Sequence, residues 1–183
     1  LIHVANHLGW KTFHAIGHSM SGQFLQYLAL KHPARIESLI AITPVPPSGA
    51  PIPPEIYANI EAAARGDATI TQGIMHWITA GRMGTGFVNF KARRWYETST
   101  QEARLAYLKL FTGSDFSEQA KGLATRMLII AGEHDLSYSA EHLKHSIQSI
   151  YPNSSVEVVP LASHYPMQET PPYLVGLWER FLE

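Results

Sequence analysis

Apolar residues recur along this chain in two rhythms, short unbroken runs and stretches spaced three and four apart. Leu1, Val4, Ala5 and Leu8 stand at helical spacing, with Gly9 where a C-terminal cap belongs. The short run at residues 13–16 meets Gly17 and is followed by residues 22–30, apolar at helical spacing and stopped before Pro33. This order reads as strand, tight turn, helix. Residues 38–42, SLIAI, form a second run, too short for a helix and apolar enough for a strand buried on both faces. The stretch TPVPPSGAPIPP, ending at Pro54, then carries six prolines, and so many missing amide donors predict a connection leaving the sheet.

Residues 55 to about 123 show helical patterns at 55–64, 70–79 and 100–111 and no convincing strand. Strand signals return at 127–131 and 156–159, separated by a predicted helix over 139–150. The chain closes on a helix that Thr170 would cap and Pro171 would open, with Tyr173, Leu174, Leu177, Trp178 and Phe181 facing inward. The alternation predicts an α/β architecture: a parallel sheet flanked by helices, made of residues 1–45 and 124–183, with an inserted helical cap over 46–123.

With 183 residues, 45% of them hydrophobic, the chain can fill one ordinary core. Lys and Arg number 14 against 15 Asp and Glu, and this balance argues against a general nucleic-acid binder. The absence of cysteine excludes disulfide scaffolds, thiolate metal sites and cysteine nucleophiles. No stretch approaches the roughly 18 unbroken apolar residues of a membrane span, and the opening LIHVANHLGW lacks a signal-peptide layout, so a cytoplasmic protein is expected. The chain begins without Met, inside what reads as the last turns of a helix, and a segment upstream is expected. No phosphate loop and no GxGxxG after a strand is present, so no cofactor is expected.

The sharpest local signal is GHSMSG, residues 17–22, where a strand passes into a helix. A serine on such a turn is pushed out of the backbone path, and small residues two before and two after let strand and helix approach closely. Ser21 stands where the stricter pattern has a second Gly, and Ser19 read alone is equally a helix N-cap. A serine nucleophile needs a base, and the base a carboxylate. Of Asp67, Asp115 and Asp135, only Asp135 directly follows a predicted core strand, at the carboxyl end where parallel sheets place active groups. Glu133 is the alternative acid, and a helix cap the alternative role for Asp135. His164 follows the last strand onto the same rim and is the candidate base, while His134 on that rim is expected to line the pocket. His3 with His7 and His142 with His145 have metal-pair spacing but no third ligand, so no metal site is expected. His18 is expected to pack beside the turn.

These residues carry a resemblance. GHSMSG (17–22), LIIAGEHD (128–135) and SHYPMQETP (163–171) are similar, in that order, to the nucleophile, acid and histidine turns of the α/β-hydrolase superfamily. The resemblance implies that Ser19 attacks, His164 moves the proton, Asp135 orients His164 and the Met20 amide is one oxyanion donor. It also implies four strands and a second oxyanion loop ahead of the turn, which this chain lacks. The chain therefore resembles the carboxyl-terminal portion of such a protein, with an uncovered sheet edge that a second chain or copy would pair.

A serine at position 19 points to acyl transfer to water on a small, mostly apolar ester or related compound. Ile74, Trp77, Ile78, Met83, Phe87 and Trp95 are available for an apolar acyl pocket, with Tyr165 beside it, and Arg82, Lys91, Arg93 and Arg94 form a basic run. Two further classes remain: a carbon–carbon bond hydrolase or cofactor-free haloperoxidase using the same three residues, and a non-catalytic binding protein.

Overall fold

A computed structural model describes residues 1–183. Four strands, β1 (Phe13–His18), β2 (Ile36–Ile42), β3 (Arg126–Gly132) and β4 (Ser154–Val159), form one sheet in sequence order, and every pair is parallel. Helices α1 (Ile2–His7) and α2 (Met20–Lys31) bracket β1. Between β2 and β3 lie α3 (Pro54–Arg65), α4 (Ala68–Ile78), α5 (Thr85–Thr98), α6 (Gln101–Gly113) and α7 (Ser117–Ala120). After β3 comes α8 (Ala140–Leu143), and after β4 come α9 (Pro166–Glu169) and α10 (Pro171–Leu182).

Successive side chains of a strand point to opposite faces, so the apolar runs of β2 and β3 feed two cores at once. Leu39, Met127 and Ile129 face Leu25, Ala29, Leu143 and Ile147 on one side of the sheet. Ile40, Ile42, Leu128 and Ile130 face Leu174 and Leu177 of α10 on the other. The central strands can be apolar without alternation because helices cover both faces. β1 pairs on one side only, and its Ile16 is 45% exposed at that edge.

Four local expectations change. Residues 139–150 are one short α-helix followed by a π turn over Lys144–Gln148. Leu143, Ile147 and Tyr151 are fully buried at a spacing of four, longer than the 3.6-residue turn, and the widened turn keeps all three on the core. Thr170 does occupy the N-cap position of α10, but its hydroxyl makes no capping bond and is buried without a partner. Tyr173 points outward at 45% exposure, because Leu174 and Leu177 already fill the face toward the sheet. Helix α5 carries no clear stripe in the sequence, since only Val88 and Ala92 of its fourteen residues are buried.

Asp67 caps α4 through its carboxylate to the Ile70 amide at 2.9 Å, and Thr100 caps α6 at Ala103. Arg104 of α6 is buried and donates to the carbonyls of Ala64 and Ser99, which fastens α3 and α6 together.

Candidate active site

Ser19 directly follows β1 with φ 53° and ψ −120°, a conformation costing an L residue about 1–3 kcal/mol. The surroundings hold it there: its amide donates to the Ile42 carbonyl at 2.8 Å, and its carbonyl accepts from Gly22 and Val45. A Cβ on Gly17 would lie 2.7 Å from the Ser21 carbonyl oxygen, and one on Gly22 would lie 2.7 Å from the Pro44 side chain. Glycine at those two positions is what lets the strand and helix close on the serine. Ser21 projects to solvent, so its side chain costs the turn nothing. The Ser19 hydroxyl makes no capping bond to α2. It lies 3.0 Å from His164 Nε2.

Met20 opens α2, and a helix's first amides have no acceptor within the helix. Its N–H is therefore free for another acceptor beside the serine.

Asp135 does not cap the following helix, where Ser139 is the N-cap, and its two oxygens face different partners. Oδ1 accepts from the amides of Ser137 and Tyr138 at 2.8 and 3.2 Å, anchoring the turn after β3. Oδ2 stands 2.9 Å from His164 Nδ1. A carboxylate only accepts, so Nδ1 carries the proton and Nε2 is left bare toward the Ser19 hydroxyl. Both side chains are nearly sealed from solvent. Glu133 is occupied elsewhere: its carboxylate accepts from the Leu161 amide at 2.8 Å, and His134 stands beside it at 3.5 Å.

His18 sits against the His164 ring, centroids 4.9 Å apart, and its Nε2 donates to the His164 carbonyl at 2.7 Å. Burial, reinforced by the nearby His164 imidazole, lowers the His18 pKa to about 3, so this ring stays neutral and donates from Nε2. Burial also raises the phenol pKa of Tyr138 and Tyr165, with the Asp135 charge adding to the effect.

A cavity of about 840 Å³ opens on Ser19 and His164. Ile74, Trp77 and Ile78 line it, joined by Ile56, Ile60 and Ile70 of α3 and α4, by Val45 and Ile52 of the proline-rich connection, and by Phe111, Leu136 and Tyr138. No Asp, Glu, Lys or Arg is on its wall. Ile56 and Ile60 stand four apart on α3, a spacing that places both on one face of the helix.

Met83, Phe87, Trp95 and Tyr165 are not on that wall. Tyr165 is buried behind His164, in contact with His18 and with the edge of Phe87, and Lys91 lies 4.1 Å above its ring. Met83 sits in the connection before α5, and Trp95 packs on Met75, Val88 and Ala92 within the inserted helices. The basic run disperses, as Arg93 and Arg94 both pair with Glu97. His142 lines the cavity while His3 and His7 lie on α1, and no three His, Asp or Glu side chains converge as metal ligands do. No helix is long and apolar enough to cross a membrane.

Solved structures share this fold at low sequence identity. A bromoperoxidase from Bacillus anthracis superposes with a TM-score of 0.85 at 17% identity, over 99% of this chain and 71% of that one. An N-acyl homoserine lactone degrading enzyme gives 0.81 at 17% identity, over 98% and 71% of the two chains. The carboxylesterase CesB from Bacillus subtilis gives 0.73 at 21% identity, over 98% of this chain and 62% of that one. This chain thus spans roughly two thirds of their lengths. No curated protein sequence matches it. The sequence model of the alpha/beta hydrolase fold matches residues 3–171, nearly the whole chain, and the chain belongs to that family.

Proposed function

We infer that this chain is a serine hydrolase acting on uncharged, apolar acyl compounds, esters foremost. The observation that carries the reading is the unbroken line from Ser19 Oγ to His164 Nε2 at 3.0 Å and from His164 Nδ1 to Asp135 Oδ2 at 2.9 Å. Ser19 passes its proton to the bare Nε2 as its oxygen bonds the acyl carbon. Asp135 stabilises the imidazolium that forms, and the Met20 amide faces the developing oxyanion. His164 then returns the proton to the departing alcohol, leaving Ser19 acylated. Water then attacks the acyl carbon and gives its proton to His164, which passes it to Ser19 Oγ as the acid is released.

The α3–α6 helices act as the cap in this reading, since residues of α3, α4 and α6 wall the cavity. A wall without Asp, Glu, Lys or Arg favours a neutral acyl chain, because a carboxylate or ammonium entering it would lose its hydration with no such side chain to pair with. Hydrolysis of neutral nitrophenyl esters of increasing acyl length tests the reading. Turnover should rise with apolar length and vanish in Ser19→Ala; carboxylate-bearing esters preferred over neutral ones of equal length would refute it.

A further inference from the structure

The loop that carries His164 is held by a side chain to which neither the sequence reading nor the proposed reaction gives a role. Glu169 ends α9, whose single turn folds its carboxylate back beneath residues 163–165. Oε2 accepts from the Ser163 amide at 2.9 Å, and Oε1 accepts from the Ser163 hydroxyl at 2.7 Å and the Tyr165 amide at 3.0 Å. The residues on both sides of His164 are thus tied to one carboxylate. His164 itself is tied by other groups: its amide donates to the Ile78 carbonyl at 3.3 Å, and its carbonyl accepts from His18 and from the Thr43 hydroxyl.

Three consecutive amides lie outside any strand or helix, in residues that are all buried, and two of the three depend on Glu169. A buried amide without a partner is costly, so without the carboxylate this backbone must shift to find other acceptors. Such a shift moves the pivot from which the imidazole reaches Asp135 and Ser19 together.

We propose that Glu169 is a positioning residue for the base, bridging the amides on either side of His164 so that its ring spans Asp135 and Ser19. The proposal rests on the reading of His164 as the base. Displacing a catalytic group by about 1 Å costs on the order of 10²-fold in rate. Glu169→Ala, which removes every acceptor, should therefore slow capture of Ser19 by a fluorophosphonate about 100-fold per folded molecule, and Glu169→Gln, which keeps one oxygen, about tenfold.

The test compares both variants with Met127→Ala, a core truncation at the opposite end of β3. Capture rates are divided by the folded fraction from circular dichroism, and the His164 Nδ1 proton is followed by NMR. The expected result is slowed capture and a weakened or exchanging Nδ1 proton in the Glu169 variants, with Met127→Ala at the unmutated rate per folded molecule. Unchanged capture and an unchanged Nδ1 proton in Glu169→Ala would overturn the proposal, as would an equal loss in Met127→Ala. If the unmutated protein shows the Nδ1 proton without capture, that proton alone decides for or against Glu169. If it shows neither, the base reading fails and this proposal falls with it.

Discussion

Replacing Asp135 with Asn should reverse the tautomer of His164. Oδ1 of Asp135 accepts from two backbone amides, those of Ser137 and Tyr138. An amide nitrogen cannot accept, so Asn at this position must turn its oxygen to those amides and its NH2 group to His164 Nδ1. Two donors cannot face each other at 2.9 Å, the present separation. His164 therefore moves its proton to Nε2, leaving Nδ1 as the acceptor, and a protonated Nε2 cannot take the serine proton. A wrong-tautomer base in a serine triad costs about 10⁴-fold in turnover, or about 5 kcal/mol of barrier. The turn survives, because both amides keep their acceptor. The assay pairs fluorophosphonate capture kinetics with the ¹⁵N spectrum of labelled histidine. Asp135→Asn should fold, show His164 protonated at Nε2, and capture the probe about four decades more slowly. A loss smaller than tenfold, or a His164 still protonated at Nδ1, would refute this chain of reasoning.

Three other outcomes follow from single contacts. A Cβ on Gly132 would lie 2.0 Å from the Ser163 carbonyl, so Gly132→Ala must push β3 away from the His164 loop, and a loss above about 2 kcal/mol in chemical denaturation is expected with slowed capture. His18 has a folded pKa near 3 against 6.5 for the free side chain, so below pH 6.5 the unfolded chain binds a proton that the folded chain refuses. Its contribution to stability is complete above that pH and declines toward pH 3, and His18→Gln should flatten this part of the acid limb in pH-dependent denaturation. Ile74 lines the cavity, so Ile74→Trp should lower kcat/KM for long-chain esters about tenfold while leaving the shortest nearly unchanged, as judged by a chain-length series.

Much of the frame was legible because burial is written into composition at particular places. Residues 39–42 of β2 and 127–131 of β3 are unbroken apolar runs, as a strand covered on both faces favours. The turn at Ser19 was legible because Gly17 and Gly22 sit where a Cβ would strike the neighbouring backbone or Pro44. Helix α5 was not, since so few of its residues meet a core that no stripe forms. Asp135 could be preferred to Glu133 from its place further beyond the strand end, but the bond that occupies Glu133 could not be read, because the Leu161 amide that makes it, at φ 57°, lies 28 residues away. Met83 and Phe87 lie off the cavity wall, because apolar character alone does not say which neighbour a side chain meets. Glu169 carries no mark in the sequence, as its bonds go to backbone amides and a hydroxyl group.

The central claim, that Ser19 is activated by His164, is tested most directly by the intact mass of the protein after treatment with a fluorophosphonate, run beside Ser19→Ala and His164→Ala. One adduct per chain, placed on Ser19 and abolished by either substitution, is the predicted result. A folded, unmutated protein that gains no mass, or one that is labelled equally in His164→Ala, would contradict the claim.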